Sequence, residues 1–335
     1  MEKGPEFRII GDASAEKKDE AKKEIERALF NHYDSMPSEG REQMDKFEYP
    51  KSEKELALID FANEETDRLM SEAGIEPYDI SAENYHIIPP ELYKKVAGGS
   101  GTAETFFMVQ GMIFDAQHFR DNPVYFGAVA LHETLHLKAH FSAEVEDKGG
   151  KVNKTPYREG VSARASQKDG YSGAYHNHFK GLHEAIVSAQ EKKSLYKLLD
   201  LPLLREEKKW LMSGEAKDLR KKFSDKIKIP EDDIIWVGKK SENDYETIFY
   251  QKQRHVLNYI CVEIQKEFPD LYESTDDVFK EFLKANFTGR LLPIARLVDG
   301  TFGEGSFRIL GNMTAEKESA VLTLETLKKA KTRQV

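Results

Sequence analysis

Apolar residues recur along most of this chain at helical spacing, and only a few short runs break that rhythm. Residues 15–31 and 53–74 set apolar positions three and four apart among charged ones, which predicts two charged amphipathic helices. Tyr85 to Ile88 and Thr105 to Phe114 are rich in aromatic and β-branched residues. Pro89-Pro90 and Gly98-Gly99 bound them, so both predict strands. The second is apolar on both faces, which places it inside a sheet or at a covered edge. From Pro123 the helical rhythm returns. Val124, Tyr125, Ala128, Val129, Leu131 and Leu135 predict a half-buried amphipathic helix, with Asn122 as its N-cap and Pro123 in its first turn. Val161, Ala163 and Ala165 alternate with Ser162, Arg164 and Ser166, as in a half-exposed strand. Beyond Leu201 the pattern predicts helices near 202–223, 244–267 and 275–286, the last capped by the cluster Ser274-Thr275-Asp276.

This pattern divides the chain into an N-terminal segment (1–50), a core (51–200) and a helical C-terminal domain (201–335). The two outer parts share a motif. Phe7-Arg8-Ile9-Ile10-Gly11-Asp12 and Phe307-Arg308-Ile309-Leu310-Gly311-Asn312 are nearly one hexapeptide, and Ser14-Ala15-Glu16-Lys17 then matches Thr314-Ala315-Glu316-Lys317. Seven identities in eleven positions favour a duplication over residues 7–28 and 307–328, each copy read as strand, glycine turn and helix.

The helix from Pro123 carries His132-Glu133-Thr134-Leu135-His136, of the form H-E-x-x-H. Residues four apart stack on one helix face, so His132 and His136 can grip one metal ion while Glu133 reaches a water beside it. Neutral imidazoles suit Zn²⁺, which acidifies a bound water to near neutral pH. Two histidines leave a catalytic zinc one protein ligand short. His140 does not complete the set, because eight residues separate it from His132, about 12 Å along a helix axis. The extended form with Gly and His at 139 and 142 is excluded by Ala139 and Ser142.

Downstream stands Phe179-Lys180-Gly181-Leu182-His183-Glu184-Ala185-Ile186-Val187. An H-E-x-x-H helix, a short β-containing segment and a second helix opening with G-L-x-E-A resembles the gluzincin group of zinc metallopeptidases, over roughly residues 55–200. The resemblance implies an α+β, zincin-like core with a small mixed sheet and an active-site helix. It implies His132, His136 and Glu184 as Zn²⁺ ligands and Glu133 as general base. It also implies an edge strand that holds the substrate backbone, without indicating which strand. Two positions depart from the group's pattern: His183 stands where Asn is frequent, leaving His183 as a rival ligand, and Ser188 stands where thermolysin-like members carry an Asp that orients a ligand histidine.

The stretch before Glu184 holds Tyr171, Tyr175, His176 and His178. Peptide hydrolysis passes through an oxyanion that needs a donor, and Tyr175 or His178 is the candidate. Arg158 reads as a structural ion-pair residue, with a substrate carboxylate as its other use. His255, on the 244–267 helix, reads as a core or surface histidine. Gly300, Gly303 and Gly305 lack the Gly-Lys-Ser/Thr of a phosphate loop.

Charge narrows the function classes. A net charge of −9 argues against nucleic acid or an anionic membrane as partner. The single Cys261 allows no internal disulfide and falls on an apolar helix face. The opening residues MEKGPEFRIIGD have no apolar core of a signal peptide, and no apolar run reaches membrane-spanning length, so a cytoplasmic protein is expected. The expectation is a zinc-dependent peptidase acting on a peptide or protein. A zinc-stabilised, non-catalytic interaction module is the alternative.

Overall fold

Ser52 opens the long helix of the first half with a capping box. Its hydroxyl accepts from the Glu55 amide and the Glu55 carboxylate accepts from the Ser52 amide. That helix is one element of a mixed α+β structure, a computed structural model that describes residues 7–32, 38–97, 101–164, 177–234, 238–241 and 244–333. The chain separates into two units, Met1–Glu159 and Gly160–Val335. The division falls inside the 51–200 segment that the sequence pattern treats as one core.

In the first unit, strand β1 (Arg8–Ile10) leads to helices α1 (Ala15–Phe30), α2 (Ser38–Phe47) and α3 (Glu53–Glu72). Then come β2 (Tyr85–Ile88), α4 (Pro90–Ala97), β3 (Ala103–Phe106), β4 (Gly111–Asp115), the single turn α5 (Ala116–Phe119) and α6 (Pro123–Leu137). A long hairpin, β5 (Phe141–Lys148) and β6 (Lys151–Glu159), closes the unit, turning at Gly149 and Gly150 with φ of +66° and +88°. β4 pairs in parallel with β2 and antiparallel with β3, while β5 pairs in parallel with β1 and antiparallel with β6.

The expected strand from Thr105 to Phe114 is therefore a hairpin. Its turn passes through Gln110 at φ +52°, where the Gln110 amide donates to Phe107 O at 2.5 Å and Asn84 Nδ2 donates to Gln110 O at 2.6 Å. These buried side chains stabilise a left-handed turn that hydropathy does not show. The motif helix α6 also departs from expectation. Every residue from Val124 to Leu137 is buried, so the helix is enclosed rather than half-buried. Asn122 caps it as expected, accepting from Tyr125 N at 3.2 Å. Beyond its last turn, buried Lys138 donates to Asp67 of α3 at 2.6 Å.

Past the end of α1, buried His32 sits against β2. His32 Nδ1 lies 2.5 Å from Val109 O, its Nε2 lies 2.8 Å from His86 Nε2, and His86 Nδ1 lies 2.8 Å from Glu48 Oε2. Burial, followed by the neighbouring His86, pushes the His32 pKa down to about 4.

The second unit begins with β7 (Ser162–Arg164) and β8 (Asn177–His178), which pair antiparallel, and continues into α7 (Lys180–Leu199). Next are α8 (Arg205–Leu211), α9 (Gly214–Ile227) and the two-stranded pair β9 (Gly238–Ser241) and β10 (Asp244–Glu246). Helices α10 (Gln251–Glu267), α11 (Thr275–Thr288), α12 (Leu292–Phe302), α13 (Ser306–Gly311) and α14 (Lys317–Thr332) complete the chain. The helix expected over 202–223 is two helices, because Ser213 caps a fresh start by accepting from Ala216 N. The helix expected from 244 begins only after Tyr250, which is left-handed at φ +65°. Cys261 is buried, and burial raises its thiol pKa to about 12.

The matching hexapeptides do not share a shape. The first is β1, whereas Phe307 to Gly311 lie in helix α13. Phe7 is buried and meets Phe141 edge-on, and Gly11 at φ +104° passes so close to Val145 that a Cβ would lie 2.2 Å from its carbonyl oxygen. The second segment braces the entry to α7. Phe179 N donates to Gly311 O and Gly181 N to Met313 O, both at 2.8 Å, and the Phe179 ring packs on Phe307. The same local sequence takes different forms because each copy meets a different neighbour.

Candidate metal centre

Helix α6 gives His132 and His136 their relation directly, since four residues advance the chain about one turn. Their Nε2 atoms lie 3.1 Å apart, and both rings are buried. Ligands about 2.1 Å from one tetrahedral ion lie about 3.4 Å apart, so this pair is nearly set for a shared ion. Glu133 is buried too, and Thr105 Oγ1 of β3 donates to its Oε2 at 2.7 Å. On the other side of the helix, Thr134 Oγ1 donates to Ala130 O at 2.6 Å and lies 2.7 Å from Tyr85 Oη.

Glu184 stands in the first turns of α7 and is 3 % exposed. Lys180, one turn earlier, reaches its Oε1 at 2.8 Å, while its Oε2 is buried. Gly181 is required here: a Cβ would lie 2.4 Å from Thr314 O, so only glycine lets α7 begin against that backbone.

Among the described residues, one group of three or more potential ligands could hold a metal ion: His132, His136 and Glu184. All three are buried, with one ligand atom from each within 4.8 Å of the others. Two imidazoles and a carboxylate are a donor set that suits zinc.

The other sequence candidates are not in this group. His183 is fully buried, with Nδ1 2.8 Å from Asn286 Oδ1, so its ring is committed to α11. His178 lies on β8 and His140 just before β5. His255 is partly exposed, with Asp233 3.9 Å away. Tyr171, Tyr175 and His176 lie outside the described residues.

Two residues at this site were not singled out from the sequence. In the sequence Thr105 shows only as a strand residue. Tyr93 of α4 is buried, and its hydroxyl is held above the usual phenol range by burial and then by the carboxylates of Glu133 and Glu104. A tyrosine in an apolar helix face carries no signal of that neighbourhood.

Compared with family models, with curated proteins and with solved structures, the chain matches none significantly. No helix among the described residues is long and apolar enough to cross a membrane.

Proposed function

We propose that this chain is a zinc-dependent peptidase with a zincin-like core of the gluzincin kind. The observation that carries the reading is the grouping of His132, His136 and Glu184 beside a buried Glu133. A structural site has no use for an acid next to its ligands, whereas hydrolysis needs a base there. Zn²⁺ held by these residues supplies Lewis-acid polarisation and acidifies water.

The chain's own residues account for the rest. Glu133 accepts a proton from the attacking water and passes it to the leaving amine. Thr105 fixes which way that carboxylate points. Among the described strands β3 is one of the two outer strands of its sheet, so the strand that orients the base also offers an edge along which a substrate backbone can add.

The test is metal content together with hydrolysis of a mixed fluorogenic peptide library. Purified protein should hold about one equivalent of zinc per chain and cleave peptides. Glu133→Gln should keep the metal and lose cleavage. A zinc-loaded protein that cleaves nothing in the library supports the non-catalytic module instead.

A further inference from the structure

Strand pairing brings three basic side chains to one place in the first unit. Arg8 of β1 faces Ser142 of β5, and Ser142 faces Arg158 of β6. Directly paired residues project to the same side of a sheet, so Arg8 and Arg158 flank buried Ser142 on one face. His140 stands two residues before Ser142, which directs it to the same side. Phe141, between them, points the other way, stacking on Phe107 and meeting Phe7 edge-on.

Among the described residues, no carboxylate is an electrostatic neighbour of Arg158 or His140. Arg158 Nε and Nη2 are buried and donate no hydrogen bond among the described residues. The charges that act on Arg158 come from Tyr157 and Arg8, and no carboxylate is among them. The ion pair expected for Arg158 is therefore absent among the described residues. Burial, then Arg158 and Arg8, holds His140 down to about 4, so at neutral pH its ring is uncharged. Burying Nε and Nη2 of a guanidinium without an anion is costly, and an anionic ligand would offset that cost.

We propose that Arg8, His140 and Arg158 form a carboxylate-binding subsite that receives the free C-terminal carboxylate of a peptide substrate. Two arginine forks match the two oxygens of a carboxylate, and an imidazole N–H adds a third donor. His140 follows the ligand His136 by four residues, a span of at most about 14 Å of chain. A carboxylate held there lies within a few residues of the metal group. The substrates are thus peptides cut near their C-terminal end. This substrate assignment rests on the peptidase reading, whereas the anion subsite itself does not.

The experiment uses full-length Glu133→Gln protein loaded with zinc, and measures binding of acetyl-trialanine against acetyl-trialanine amide by calorimetry. Acetate is titrated separately, with the His140 ring proton followed by NMR. The free acid should bind about tenfold tighter than the amide, the scale of one charge-assisted contact. That preference should vanish in Arg158→Met and shrink in Arg8→Gln, a substitution at an exposed position that leaves the fold intact. Equal binding of acid and amide, no binding of either, or a preference that survives Arg158→Met would each overturn the subsite. If acetate alone moves His140 and the peptide acid does not compete with it, the site takes a free anion and the substrate assignment fails. Wild-type protein separates the two readings. Equal cleavage of acid and amide peptides sinks the subsite and leaves the peptidase. Acid-selective binding without cleavage keeps the subsite and sinks the peptidase.

Discussion

Thr105 on the outer strand β3 donates to the carboxylate of Glu133 at 2.7 Å, joining the strand that can receive a substrate to the acid that serves as base. A hydrogen bond to a charged group contributes about 1.5–3 kcal/mol. Thr105→Val keeps the shape of the side chain and removes the donor. It should lower kcat/KM on a fluorogenic peptide by about tenfold or more, with zinc content unchanged. Unaltered kinetics would mean that Glu133 is oriented by something else.

Glu184→Ala should strip most of the zinc at neutral pH, because two imidazoles alone bind it weakly. Metal analysis after dialysis against a mild chelator reads this directly. Retention of a full equivalent would move the third ligand elsewhere, with His178 the next residue to substitute, since His183 is held by Asn286.

Lys138 and Asp67 join the end of α6 to α3 at 2.6 Å, with the Lys138 side chain fully buried and Asp67 partly exposed. Burial pulls the ammonium below its usual range and pushes the carboxyl above its own, each opposed by the partner. Lys138→Met should therefore destabilise by about 2 kcal/mol, less than for a fully buried pair because water reaches Asp67. Adding Asp67→Leu should recover much of that loss in urea unfolding.

His32 gives the first unit a pH dependence. Its folded pKa, about 4, lies below the unfolded value, so the unfolded state takes up the proton first. The contribution is complete above about pH 6.5 and is lost as pH falls toward 4, amounting to about 3 kcal/mol at most. His140 titrates over the same window. The check is the difference in melting temperature between wild type and His32→Gln from pH 7.5 to 4.5, which should narrow steadily. A constant difference would show that His32 does not titrate in this range.

Much of this molecule was legible because its signals are local. Asn122 with Tyr125 and Ser274 with Asp277 form caps within three residues, and the helices begin where those caps predict. Positions that depend on distant partners misled. Gln110 bends the chain inside an apolar run because Asn84 waits for its carbonyl. Phe307-Arg308-Ile309 copies a strand sequence yet coils, held against Phe179 and Gly181. Helix α6 carries the spacing of an amphipathic helix but is covered on every side.

The sequence by itself determined the pair of histidines and the acid beside them, because i and i+4 on a helix are neighbours whatever surrounds it. Tertiary structure alone decided that the rival His183 is committed to Asn286, and that Thr105 holds Glu133. It also decided that Arg8, His140 and Arg158 share one face, with no carboxylate acting on Arg158 among the described residues. Spacing along a helix follows from covalent geometry. Which distant side chain completes a site follows from how strands register and helices pack, which no short stretch of sequence encodes.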